Sequence, residues 1–309
     1  MADAAIDDLT RAAEDRLYAH YSLRHSERMV RAGDLDVRVV DINPDAAGTA
    51  VLLLHGIASV TAAAVPLVAN LGDRRVIAVD WPGHGLSGPL VLKRGDDLRA
   101  IMVSVIDAVL DAFALGQADI VAHSLGGQFA LYYVLVRAAR VRRLVLLGAP
   151  GAGFSEVTPV PAMRLLSIPG IGRGILSLPA SPEAYRKNSA ATLGPGALDG
   201  YPDDLAEAGR LASQRPGFAP SVASYFRALI TPFRVRAKVP VGHAELATIA
   251  VPTLMVWGDQ DVFLTPDRGR ASIDSIPGAR LVVVEGGHAP WLNQLDQTSG
   301  AVTAFLDAA

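Results

Sequence analysis

Apolar residues recur along the chain in two alternating rhythms. Short apolar-rich runs bounded by turn-forming residues read as buried strands at residues 50–54, 75–79, 119–123, 143–147, Thr253–Trp257 and Arg280–Val284. Between them apolar residues return every three or four positions. Leu98, Ile101, Met102, Val105, Ile106, Val109, Leu110 and Phe113 share one helical face, with Asp96 placed to cap its start and Gly116 to end it. Residues 125–139 predict another helix, and residues 2–25 also look helical. Glu27 to Asp41 alternates about Ala32-Gly33-Asp34, the pattern of a hairpin. Strands alternating with helices predict an α/β protein with a mostly parallel sheet.

The rhythm breaks at Gly148-Ala149-Pro150, and residues 151–248 show no strand pattern. Pro and Gly are dense there, and short helices are predicted near Pro182, Asp203 and Pro220. Such an insert has too little regular pattern to be an independent domain. It reads as a lid over the sheet's carboxyl edge, with Phe154, Met163, Leu166, Tyr225 and Phe226 among the side chains that could line an apolar acyl pocket. The competing reading of each is plain packing, the usual fate of an apolar residue. The expected organisation is an N-terminal helical arm at 1–26, a core at 27–150 and 249–309, and a lid at 151–248.

The chemistry centres on Ser124. The strand-like run 119–123 ends at this serine, and Gly126 and Gly127 follow at the start of a helical pattern. A serine at so sharp a strand-to-helix turn presents its hydroxyl at the strand's carboxyl end, and the strained turn needs small neighbours. The turn is a nucleophile elbow, written Ala122-His123-Ser124-Leu125-Gly126 rather than Gly-x-Ser-x-Gly. Two later strand-like runs also end in polar turns. Thr253–Trp257 leads into Gly258-Asp259-Gln260-Asp261, and Arg280–Val284 into Glu285-Gly286-Gly287-His288. Strand carboxyl ends are where α/β proteins build their sites.

From about residue 27 to 308 the chain resembles an α/β-hydrolase-fold enzyme of the group with a lid after the sixth strand. Leu52-Leu-Leu-His55-Gly56-Ile57 is similar to that family's oxyanion segment. Asp80-Trp-Pro-Gly83-His-Gly85-Leu-Ser87 is similar to its Asp-x-x-Gly-x-Gly-x-Ser turn, and Trp257-Gly-Asp-Gln-Asp261 to the loop bearing the acid. The resemblance implies an eight-stranded, mostly parallel sheet with helices on both faces. It implies Ser124, Asp261 and His288 as a catalytic triad, with Asp259 as the rival acid. The backbone N–H groups of Ile57 and Leu125 would form the oxyanion hole. His123 reads as a packing residue, His55 and His84 as bonded to their own loops, and His20, His25 and His243 as surface.

Composition narrows the partners. Half of the 309 residues are apolar, the net charge is -3, and there is no long run of one sign. In this charge balance nothing points to nucleic acid or to an anionic membrane surface. Residues 46–72 lack Asp, Glu, Lys and Arg, yet His55-Gly56, Ser59, Pro66 and Asn70 interrupt them, so no membrane span is expected. The chain has no cysteine, which removes disulfides, thiolate metal sites and a cysteine nucleophile. With an acidic start that lacks an apolar core, this leads us to expect a cytoplasmic protein. Gly83-His-Gly85-Leu-Ser-Gly88 matches a dinucleotide fingerprint, but Pro89–Gly95 separates it from the next helix, where the fingerprint must open directly into one. No metal-binding motif is present, and neither cofactor nor metal is expected.

The expected function is hydrolysis of an acyl bond in a small apolar substrate, foremost a carboxylic ester. A serine at the elbow argues against epoxide hydrolases and haloalkane dehalogenases, which need a carboxylate there. Ile57-Ala-Ser after His55-Gly56, in place of Gly-Pro-Gly, sets proline iminopeptidases and carbon–carbon hydrolases of dienoate ring-cleavage products lower. Other carbon–carbon, lactone or thioester hydrolases, a lyase or cyclase on the same pocket, and a silent binding protein remain as alternatives. The sequence does not bear on oligomeric state.

Overall fold

A computed structural model describes residues 2–308. Its strands are β1 (His25–Ala32), β2 (Leu35–Ile42), β3 (Val51–Leu54), β4 (Val76–Val79), β5 (Ala118–His123), β6 (Val141–Leu147), β7 (Thr253–Gly258) and β8 (Arg280–Val284). They form one eight-stranded sheet in the order β1-β2-β4-β3-β5-β6-β7-β8. The hairpin strand β2 runs antiparallel to both neighbours, and β3 to β8 are mutually parallel.

The central strands are buried on both faces, and period-2 geometry divides their side chains between two cores. Leu52, Leu54, Ile120, Leu144, Leu146 and Met255 enter one, while Val51, Leu53, Val121, Val145, Leu147 and Leu254 enter the other.

Helices follow in chain order: α1 (Ala2–His20), α2 (Val65–Val68), α3 (Leu98–Ala112), α4 (Leu125–Arg137), α5 (Pro161–Leu166), α6 (Ile171–Leu176), α7 (Pro182–Leu193), α8 (Asp203–Ala212), α9 (Phe218–Leu229), α10 (His243–Leu246), α11 (Pro266–Asp274), α12 (Pro290–Asn293) and α13 (Leu295–Asp307). Six of them, α5 to α10, fall in the insert between β6 and β7.

Both expected ends of α3 move. Asp97, not Asp96, caps it by accepting from the Ala100 N–H, while Asp96 accepts from the Lys93 N–H one turn earlier. The chain leaves α3 at Ala114, whose φ of 53° is left-handed, and the Leu115 N–H closes onto the Leu110 carbonyl. Gly116 plays no part in that turn.

Helix α1 is tied to both the sheet and the insert. Arg38 of β2 is 3% exposed and donates to Glu14 of α1, to Glu27 of β1 and to Asp80 at the end of β4. On its other side α1 packs against α8, with Arg16 paired to Asp204 at 2.7 Å.

Candidate functional site

Three strand ends meet at one cavity. The first is the turn from β5 into α4. Ser124 sits there with φ 51° and ψ -119°, a conformation that costs a non-glycine residue roughly 1–3 kcal/mol and persists only where the surroundings enforce it. The enforcement is steric. A Cβ on Gly126 would lie 2.3 Å from the Leu54 carbonyl oxygen, so α4 starts hard against β3. Ala122 fills the place of the usual glycine while fully buried.

The second strand end is β7. Asp261 is 2% exposed; its Oδ2 accepts from the Trp257 indole N–H at 3.1 Å and the Ala149 N–H at 2.9 Å, and its Oδ1 from the Phe263 N–H at 2.9 Å. The third is β8, which delivers His288. His288 Nδ1 lies 2.8 Å from Asp261 Oδ2, so the Nδ1–H donates to the carboxylate and fixes the ring's orientation. Burial acts to raise the Asp261 pKa, but His288 and the backbone N–H donors prevail and hold it at about 2. Asp259 is exposed and accepts from the Gly286 N–H, a turn bond that leaves it outside the pair.

Ser124 and His288 line the same cavity of about 260 Å³, together with Ile57 and Leu125. No hydrogen bond joins Ser124 to His288 among the described residues, as is common when no substrate is bound. The N–H groups of Ile57 and Leu125 donate to no group among the described residues. The Leu125 N–H is free because it opens α4.

The insert supplies much of the remaining wall. Met163, Leu166 and Phe226 line the cavity, with Leu176 and Leu229 beside them. Phe154 and Tyr225 do not. Phe154 is fully buried against Trp257, at 6.1 Å between ring centroids, and Tyr225 turns away to donate its hydroxyl to the Pro82 carbonyl at 3.0 Å. Among the described residues no Asp, Glu, Lys or Arg lines the cavity.

The histidines divide as follows. His55 Nδ1 meets the Gly56 carbonyl at 2.7 Å, and its Nε2 accepts from the Trp81 N–H at 3.2 Å, a pairing that only the neutral ring makes. Burial correspondingly lowers its pKa. His84 is buried too, and burial holds its pKa down at about 3. His25 stacks on Tyr18 and pairs with Asp15, and His243 pairs with Glu156.

Sequence reasoning missed three contributors. His123 Nε2 donates to the His288 carbonyl at 3.1 Å, a bond between two turns far apart in sequence. Trp257 orients Asp261, for which its place four residues upstream was the available signal. Phe263 packs edge-on against the His288 ring at 4.4 Å and lines the cavity, and nothing in the sequence marked it. The Asp80–Ser87 turn is scaffold. Asp80 accepts from the Thr61 and Leu86 N–H groups, and Ser87 Oγ bonds Asp80 and Arg38 backbone.

Comparison with known proteins agrees with this architecture. A family model described as "Alpha/beta hydrolase family" matches residues 51–301. Among curated proteins, the chain is 30% identical over 289 residues to 2-hydroxymuconate semialdehyde hydrolase of Pseudomonas sp. strain CF600, covering 86% of this chain and 89% of that one. Among solved structures, carboxylesterase CesB from Bacillus subtilis superposes with a TM-score of 0.77 at 20% identity, covering 99% of both chains. The 2-hydroxy-6-oxo-6-phenylhexa-2,4-dienoate hydrolase of Rhodococcus sp. strain RHA1 gives a TM-score of 0.74 at 20% identity, covering 93% of this chain and 100% of that one. These two likenesses speak for the fold. The sequence relatives include carbon–carbon hydrolases, the class that Ile57-Ala-Ser set lower. With the matched family model, the parallel sheet and the hydrolase relatives in agreement, the chain belongs to the α/β hydrolase family and is a hydrolase.

Proposed function

We propose that this enzyme is a serine hydrolase of a neutral acyl bond, a carboxylic ester with an apolar moiety, and works through an acyl-enzyme. One observation carries the reading. His288 is bonded to the buried Asp261 in a cavity that also holds Ser124 and has no charged lining residue. A serine hydroxyl is a weak nucleophile and needs such a base.

His288 Nε2 takes the Ser124 proton as Oγ attacks the acyl carbon. The Ile57 and Leu125 N–H groups receive the oxyanion, each worth roughly 100- to 1000-fold in rate. The alcohol leaves with the proton from His288. Water, deprotonated by the same nitrogen, then hydrolyses the acyl-enzyme and releases the acid. Residues 151–248 act as the lid, and Met163, Leu166 and Phe226 receive the apolar part. Each buried methylene contributes about 0.8 kcal/mol, so KM falls with chain length until the pocket is full.

A second reading, carbon–carbon bond hydrolysis, is favoured by the sequence relatives. Several are named for 2-hydroxy-6-oxononadienedioate, a dicarboxylate. A carboxylate in this cavity would meet no Arg or Lys, and an unpaired buried charge is costly. The ester reading therefore comes first.

The test is Ser124→Ala assayed on p-nitrophenyl esters of increasing acyl length beside a ring-cleavage dienoate. We expect the variant to retain less than about a hundredth of wild-type ester hydrolysis. Greater residual activity overturns the mechanism, and faster wild-type turnover of the dienoate moves the enzyme to the second reading.

A further inference from the structure

The helix pair α5–α6 has two apolar sides. Gly172 is buried, and a Cβ there would stand 2.0 Å from the Leu166 carbonyl oxygen, so the two helices touch backbone to backbone. On the inner side, Met163, Leu166 and Leu176 line the catalytic cavity, and α6 packs on α9. On the outer side, Ile171, Ile175 and Leu178 follow one another at helical spacing and are 46%, 39% and 71% exposed. Leu165 of α5 is 44% exposed beside them in sequence. Water-facing side chains of this size, gathered on α5, α6 and the turn after α6, mark an interaction surface rather than chance exposure.

The charge pattern selects the partner. From Val157 to Pro182 the chain has no Asp or Glu, and its two charges are Arg164 and Arg173. A two-fold contact between copies sets a patch against itself, so within this segment arginine would meet arginine with no carboxylate between Glu156 and Glu183 to pair with it. A lipid surface with anionic headgroups accepts both features, because apolar side chains enter it while arginines stay at headgroup level.

We infer that the outer face of α5–α6 docks onto an anionic lipid surface, from which an apolar ester passes beside this helix pair into the cavity. The transfer step rests on the ester-hydrolase reading, and the docking step stands apart from it. The substrate class is then an ester dissolved in, or part of, a lipid aggregate.

The experiment separates the two. Inactive full-length Ser124→Ala protein is sedimented with phosphatidylcholine vesicles, with and without phosphatidylglycerol. We expect co-sedimentation with the anionic vesicles, and at least about tenfold weaker partition for Ile175→Asp/Leu178→Asp on the same background. Both substituted positions are exposed and outside the cavity lining. In active protein the double substitution should leave hydrolysis of a short soluble ester within about twofold. Absence of vesicle binding, or equal binding by the double variant, overturns docking. So does a dimer that the double variant converts to monomer without any vesicle binding, because the face then belongs to a second copy. Wild-type failure on soluble esters would sink the hydrolase reading alone, since vesicle binding is measured on inactive protein.

Discussion

At the scale of single residues, the proposal of Asp261 as the acid rests on what each aspartate touches. Asp261 is enclosed and meets His288, whereas Asp259 closes a turn at the surface. Asp261→Asn should lower the ester hydrolysis rate by about 10⁴-fold, by analogy with other triads, because the amide favours the wrong imidazole tautomer. Asp259→Asn should cost far less. Measured kcat values in the reverse order would reassign the acid. The placement of Ser124, Asp261 and His288 at the ends of β5, β7 and β8 was legible in the sequence because each follows an apolar run. Phe154 and Tyr225 were misread for a related reason. Both are fully buried, and burial alone does not say whether a ring faces the cavity or the protein.

Among elements, the attachment of α1 has a consequence for stability. Around Arg38 stand three carboxylates, Glu14, Glu27 and Asp80, so one cation faces an excess of negative charge. Burial, aided by Asp80 and Glu27 and opposed by Arg38, pushes the Glu14 pKa up from 4.5 to about 7. Between those values the folded protein holds a proton that the unfolded chain has lost. The stabilisation is therefore complete below about pH 4.5 and disappears as the pH rises through about 7. Glu14→Gln should flatten this part of the profile of Tm against pH. An unchanged slope in thermal melts across the window would refute the assignment. None of this was readable beforehand, since the partners lie on elements far apart in sequence. The strands and α3 were readable because their patterns are regular. Helices α5 and α6 were not, because Pro169, Gly170, Gly172 and Gly174 interrupt their apolar rhythm.

Across the whole molecule, the catalytic cavity is the feature with the widest reach. Its lining carries no charge, which suits a neutral ester entering it. On the proposed reading, hydrolysis turns that ester into an acid, which at neutral pH ionises where no cation waits for it. Apart from the Ile57 and Leu125 N–H groups, the carboxylate finds little to replace its hydration and no cation to pair with, so the anion is driven out. Turnover would thus be self-clearing near neutral pH. It should become progressively self-limiting as the pH falls toward about 4 to 5, the range in which a carboxylic acid regains its proton and its affinity for an apolar wall. The inhibition constant of the product acid, followed against pH, would tighten on acidification, and a flat profile would mean that an unseen group receives the carboxylate.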